Sequence, residues 1–268
     1  GNIVKDARTS HCMRVWQAYK SVISHNIISG SSLDNTSGRH ALKLHGPGRS
    51  LDSSDCELCT QSPSTVCLRN RTEFVILSDN VFGASGPWPV SIGPQDTVTF
   101  EELSDIVIER NRFIADFGTQ RAVLVTVSLP VWGRYFSIRN SLFDGSGSGS
   151  GYTGIALGRP VENPRTAGVE IYNNTIHKIN NVTGDIRTGI EVAANSEGSI
   201  IKNNLVSFPG TAEPVFLVKS ASIGLAVSSN LMTKTPGFID SGNSDPLSRN
   251  FRLLSESPSI GSGMRVPV

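Results

Sequence analysis

Two tripeptides near the start of the chain carry the same order of chemistry. Arg14-Val15-Trp16 sets a guanidinium, an aliphatic residue and a ring in sequence; Lys43-Leu44-His45 sets an amine, an aliphatic residue and a ring. Of the 5 histidines, His11, His25, His40 and His45 all fall in this opening stretch. Side chains alternate between the two faces of a strand, so Arg14 shares a face with Trp16 and Lys43 with His45. If the two strands are neighbours, two cations meet one strand spacing apart, about 4.8 Å. An anion between them holds such a pair best, and the crowding lowers the lysine's pKa, which suits it to take a proton. A ring alongside suits the face of a sugar. The set therefore fits an acidic sugar, and the chemistry within its reach is β-elimination. There a base removes the proton next to a carboxylate while a cation stabilises the enolate. Lys43 is the candidate base, Arg14 the partner of the carboxylate, and His45 the acid or alternative base. Trp16, Gln17, His40, Gln95 and Arg159, on or flanking strands of one set, are the candidate sugar contacts. The plain alternative is a solvated face, with Trp16 covering the edge of the core.

These residues act together only if the fold stacks their strands, and a repeat does so. The hexads SHNIIS, SDNVFG, ERNRFI, YNNTIH, KNNLVS and SSNLMT share an asparagine at the third position. The column runs Asn26, Asn80, Asn111, Ser141, Asn174, Asn204, Asn230. Its members lie roughly 26 to 33 residues apart, with one longer interval after Asn26, a period that signals a solenoid. Two positions on comes a large apolar residue each time: Ile28, Phe82, Phe113, Phe143, Ile176, Val206, Met232. A second strand recurs between hexads as CMRVW, HALKLH, PVSIG, AVLVTV, GIALG, GIEVA and PVFLV. Each unit thus reads strand, turn, strand, turn, with no helix-length period between. A stacked asparagine suits the bend, because its amide both donates to and accepts from the next coil. Ser141 replaces it poorly.

The inward pairs of the second strand set are Met13/Val15, Leu42/Leu44, Val90/Ile92, Val123/Val125, Ile155/Leu157, Ile190/Val192 and Val215/Leu217. The column between them faces out and reads Arg14, Lys43, Ser91, Leu124, Ala156, Glu191, Phe216. Functional groups crowd its first two coils. Glycoside hydrolysis needs two carboxylates within about 5 to 9.5 Å. Glu191 is the one carboxylate in this column, four coils from Lys43, or roughly 19 Å.

The repeats resemble right-handed parallel β-helix proteins of pectate-lyase-like architecture, a fold of many secreted polysaccharide enzymes. The closing run PGFIDSGNSDPLSRNFRLLSESPSIGSG is similar to the segment that follows the last coil in such proteins. The resemblance implies an all-β, right-handed, single-stranded parallel β-helix solenoid of about seven to eight coils. The helix would span 1–235, with a loop insertion at 46–73 and a closing segment at 236–268 packed on the last coil. The Lys–Arg neighbours resemble those of β-helical chondroitinase and alginate lyases. This implies a secreted, extracellular or periplasmic protein acting on a uronate-containing polysaccharide. The alternatives are a non-catalytic glycan-binding solenoid and a tail-type structural one. No cofactor is expected; Ca2+ is the ion the resemblance would allow, though no acidic calcium-binding signature stands out. Paired aspartates of the polygalacturonase type, an Arg-x-Pro-x-x-Arg run and an Asp-Pro-His-Asp run are missing.

Composition excludes other classes. A net charge of +1 with 18% charged residues gives no pull toward nucleic acid, and no apolar run reaches membrane-span length. GNIVKD at the start fits the hexad, with Asn2 and Val4 in their columns. The expectation is a chain that begins inside a coil, its preceding N-terminal coils and cap absent or on another chain. The insertion holds Cys56, Cys59 and Cys67, while Cys12 lies on a strand. In a secreted chain these are disulfide candidates, with Cys67 one partner; a metal half-site or free thiols are the alternatives.

Overall fold

The computed structural model describes residues 1–7, 10–16, 18–31, 40–45, 71–83, 89–93, 102–115, 124–129, 132–147, 152–157, 165–177, 188–192, 196–208 and 224–264. Among these there is no α-helix, only one 3-10 turn at Pro246–Ser248. The chain is a parallel β-helix solenoid built from three long parallel sheets. Sheet 1 stacks eight strands, from Ile3–Lys5 and Ile27–Ser29 through Arg112–Ile114 to Leu231–Thr233. Sheet 2 stacks six, from Met13–Trp16 and Leu42–His45 to Ile190–Val192. Sheet 3 has nine, including Tyr19–Ser24, Arg71–Ser78, Glu102–Glu109, Trp132–Arg139 and Glu170–Tyr172.

Each unit therefore has three strands rather than the expected two, because the hexad bends at its own centre. The residue before each corner asparagine is left-handed: His25, Asp79, Arg110, Asn140, Asn173, Asn203 and Ser229 all have φ between 51° and 59°. A single left-handed residue breaks the ladder and turns the chain from sheet 3 into sheet 1. The turn strips backbone groups of strand partners, and the asparagines supply new ones. Oδ1 of Asn26 accepts from the backbone and side-chain amides of Asn2, and Asn80 and Asn111 continue the ladder. From Asn80 onward Nδ2 also reaches a carbonyl one coil back, as Asn80 does to Ile23 and Asn111 to Leu77, whereas Asn26 Nδ2 reaches Ser24 in its own coil. Ser141 keeps only part of this. Its Oγ accepts the Asn111 backbone N–H at 3.2 Å and donates to Arg139, within its own coil.

Inside, the apolar column is continuous. Phe82, Phe113 and Phe143 are fully buried and stack at centroid distances of 5.1 and 4.6 Å. Ile28 and Ile176 extend the stack on either side, in register. On sheet 2, Leu42 pairs with Val90, Val90 with Val127 and Ile155 with both Val127 and Ile190. The expected Val123/Val125 pair thus sits four residues off: Ser128, not Leu124, takes the place between Ser91 and Ala156. An even slip preserves the alternating pattern, so alternation alone could not separate the two registers.

The strand Arg71–Ser78 begins inside the expected insertion of 46–73. The closing segment forms a two-stranded antiparallel hairpin, Phe238–Asp240 with Asn250–Leu253. It reaches well back from the last coil. Arg112 donates to the carbonyls of Pro246, Leu247 and Arg249. Arg249 donates to Asp144, which is fully buried, at 2.8 Å. Phe238 and Phe251 meet the His177 ring edge-on at 5.4 and 5.1 Å. No helix of the described residues is long and apolar enough to cross a membrane.

Candidate functional site

The strands Met13–Trp16 and Leu42–His45 are neighbours in sheet 2, and their register pairs Arg14 with Lys43 and Trp16 with His45. Aliphatic partners on the inner face, Met13 with Leu42 and Val15 with Leu44, hold that register. On the outer face Arg14 and Trp16 are exposed, Trp16 by 59%, whereas Lys43 is half-buried.

His45 lies deeper than expected, with 0% of its surface exposed. Its Nε2 accepts a hydrogen bond from Arg14 Nε over 2.9 Å, across the diagonal of the strand pair. The Trp16 ring stands edge-on to it at 5.9 Å. Accepting from a guanidinium requires Nε2 to carry no proton, so His45 fixes the direction of Arg14 and offers no acid at that nitrogen. Its carbonyl accepts from Thr72 Oγ1 at 2.8 Å, which ties the strand to sheet 3. The arrangement presents an exposed, directed guanidinium beside an amine and an indole.

His40, expected to touch sugar, is 4% exposed. Its ring stacks on His11 at 5.1 Å, and its backbone N–H donates to His11 Nδ1 at 2.9 Å. The two histidines thus brace the entry to the same strands below the surface. Gln17, Gln95, Arg159, Phe216, Cys56, Cys59 and Cys67 lie outside the described residues. Cys12 is a free thiol that donates to the Ser29 carbonyl at 3.1 Å. Burial pushes this thiol up from its ordinary pKa, against a hydrogen bond from the backbone of Ala7. Among the described residues no group of three His, Cys, Asp or Glu is placed to hold a metal ion.

Farther along the column the groups fade. Ser91 and Ala156 are buried and Glu191 is half-buried. The register separates Lys43 from Glu191 by Ser91, Ser128 and Ala156. Among the described residues no second carboxylate shares that stretch, and none forms a hydrolytic pair with Glu191 in this column.

A second charged cluster follows the corner between sheets 3 and 1. Arg110 grips Asp79 through Nε and Nη2, both at 2.9 Å, and also reaches Glu109. Arg139 binds Glu109 and the Tyr172 hydroxyl. Hydrogen bonding from Arg110 holds the Asp79 carboxyl below its ordinary value. Burial pushes Glu109 up, but the bonds from Arg139 and Arg110 outweigh it and leave the group lowered. Each carboxylate is committed to an arginine, so this network ties coils together.

Alternation alone does not point to Tyr19, Phe74 and Tyr135. All three are exposed aromatics on sheet 3: Tyr19 opens its strand, while Phe74 and Tyr135 sit mid-strand. The signal was nonetheless present. Six positions before each corner residue stand Lys20, Phe74, Asp105, Tyr135, Gly168, Gly198 and Gly224. The three glycines mark a backbone position that favours left-handed geometry.

Comparisons with protein-family models, with curated proteins and with solved structures find no match for this chain. The geometry of its own side chains carries the functional reading.

Proposed function

We propose that the chain is a secreted, carbohydrate-active β-helix of pectate-lyase-like architecture. It engages an anionic, uronate-containing polysaccharide at Arg14, Lys43 and Trp16. The observation that supports this is the cross-strand pairing of Arg14 with Lys43 beside an exposed indole. Two cations one strand apart hold a carboxylate well, and an indole face takes the C–H surface of a sugar ring. In the lyase reading, the neutral Lys43 amine takes the proton next to the uronate carboxylate. Arg14 stabilises the enolate, the bond to the leaving glycosidic oxygen breaks, and that oxygen takes a proton from solvent. His45 is then a positioning residue that aims Arg14.

A second reading, glycan binding without chemistry, is favoured by the half-burial of Lys43 and the full burial of His45. Two measurements on one preparation separate the readings. The first is absorbance of unsaturated uronate during incubation with alginate, pectin, chondroitin or heparin. The second is retardation of the protein in gels containing the same polymers. Product that disappears in Lys43→Ala supports the lyase. Retardation without product, lost in Arg14→Ala, supports binding. If no product forms and neither substitution changes retardation, the site is a solvated face.

A further inference from the structure

The column six positions before the corner residues is a second turn of the solenoid. Lys20, Phe74, Asp105, Tyr135, Gly168, Gly198 and Gly224 all have φ between 48° and 71°. Glycine adopts this geometry without strain, whereas a bulky aromatic side chain there is an outlier. The three glycine corners show that the turn needs no side chain. Phe74 and Tyr135 nevertheless occupy it, with 45% and 64% of their surfaces in water. The rings thus add strain while about half of their surface stays in water, a combination that points to function more than to folding.

The strand register places Asp105 between them, because Glu73 pairs with Ser104 and Ser104 with Arg134. Phe74 and Tyr135 are therefore two strand spacings apart, about 10 Å. Tyr19, itself 44% exposed, meets Phe74 edge-on at 5.8 Å, and Lys20 Nζ lies 5.2 Å from the Tyr19 ring centre. Tyr19 opens the sheet 3 strand that follows the sheet 2 strand of Arg14 and Trp16 in the chain.

We infer that Tyr19, Phe74 and Tyr135 form a stacking platform for the neutral sugar units of an extended polysaccharide. Its rings interrupted by a carboxylate suit this ligand better than a protein partner, whose anchors gather in one dry apolar centre. The spacing of Phe74 and Tyr135 suits alternate units of an extended β-linked chain, with Asp105 in reach of the hydroxyls between. Charge distinguishes the two surfaces: Asp105 and Glu73 outweigh Lys20 here and disfavour a uronate, whereas Arg14 and Lys43 attract one. The platform rests on the carbohydrate reading above but not on the cationic pair.

The test is affinity electrophoresis in hydroxyethylcellulose, galactomannan and alginate, paired with thermal melting. It compares the wild type with Phe74→Gly, Tyr135→Gly, the double variant and Arg14→Ala. Wild-type protein is expected to be retarded by a neutral polymer, with about two- to tenfold weaker binding for each ring removed. The glycine variants are expected to melt no lower than wild type, since glycine suits these φ values. Rings that merely support the fold would instead lower the melting temperature. Arg14→Ala should leave neutral-polymer binding intact and weaken alginate binding, so each surface fails separately. The inference is overturned if no neutral polymer retards the wild type, or if the double variant is retarded equally. It is also overturned if sedimentation shows self-association that the double variant abolishes, which would make the platform a contact between copies.

Discussion

Replacing Ser141 with asparagine should complete the corner ladder and stabilise the protein. At an intact corner, Asn80 Nδ2 donates to Asn111 Oδ1 at 3.0 Å and to the Ile23 carbonyl at 2.8 Å. At the defective corner, Ser141 Oγ accepts one backbone N–H and turns its own proton to Arg139. An asparagine there would accept from Asn111 Nδ2 and donate to Asn174 Oδ1 and the Ile108 carbonyl. That adds three side-chain hydrogen bonds at a 2% exposed position and gives up one. At about 1 kcal/mol net per bond, the gain is about 2 kcal/mol. For a domain of this size it raises the Tm by about 4–8 °C. The complementary Asn111→Ala leaves the Asn80 backbone N–H and the Leu77 carbonyl without side-chain partners and costs about 3–5 kcal/mol. Urea unfolding followed by circular dichroism, with wild type, both variants and their double, gives the stabilities and the coupling between the positions. A neutral or destabilising Ser141→Asn, or additive effects of the two changes, would refute the ladder as a stabilising element.

Arg249→Met leaves the fully buried Asp144 carboxylate without its cation and should cost about 3–5 kcal/mol, read as early proteolytic release of the closing hairpin. The Asp79 and Glu109 carboxyls are lowered from ordinary values of 3.8 and 4.5, so the stability they add is present above those values. It is lost as pH falls through the lower folded values, and Arg110→Gln with Arg139→Gln should flatten that acid limb in melting curves from pH 6 down to about 3. Cys12→Ser should leave stability within about 1 kcal/mol, because a hydroxyl can keep the bond to Ser29. A thiol reagent should label Cys12 more slowly in folded than in urea-unfolded protein, since burial raises its pKa.

Most of the scaffold was legible because a solenoid writes the same instruction once per coil. Seven corner positions and seven apolar partners agree with one another, and agreement between neighbours identifies the stacking that no single hexad could. The bend inside each hexad was less visible, since its left-handed residue is a histidine, aspartate, arginine, asparagine or serine and has no common type. The four-residue slip at 124–129 escaped for a different reason: Val123, Val125 and Val127 share one parity and one chemistry. The pairing of Arg14 with Lys43 followed from register alone. The burial of His45 did not, because burial depends on what lies over a strand, and alternation only names its face.

In such a fold every coil places one residue in every column, so each column has a default set by its place in the cross-section. Function should then appear as a departure from the default that packing does not require. The inner column of sheet 1 shows no such departure: phenylalanine gives way to isoleucine, valine or methionine, and all but the end residues Val4 and Met232 are fully buried. The outer column of sheet 2 turns from Ser91 and Ala156 to the cations Lys43 and Arg14 at one end, with Glu191 the single charge beyond Ala156. The second turn changes from glycine to Tyr135 and Phe74 toward the same end, against the conformational preference of its backbone. Two columns with unrelated packing demands depart toward the same end of the stack. Packing gives no reason for that coincidence, whereas the two carbohydrate surfaces proposed above do.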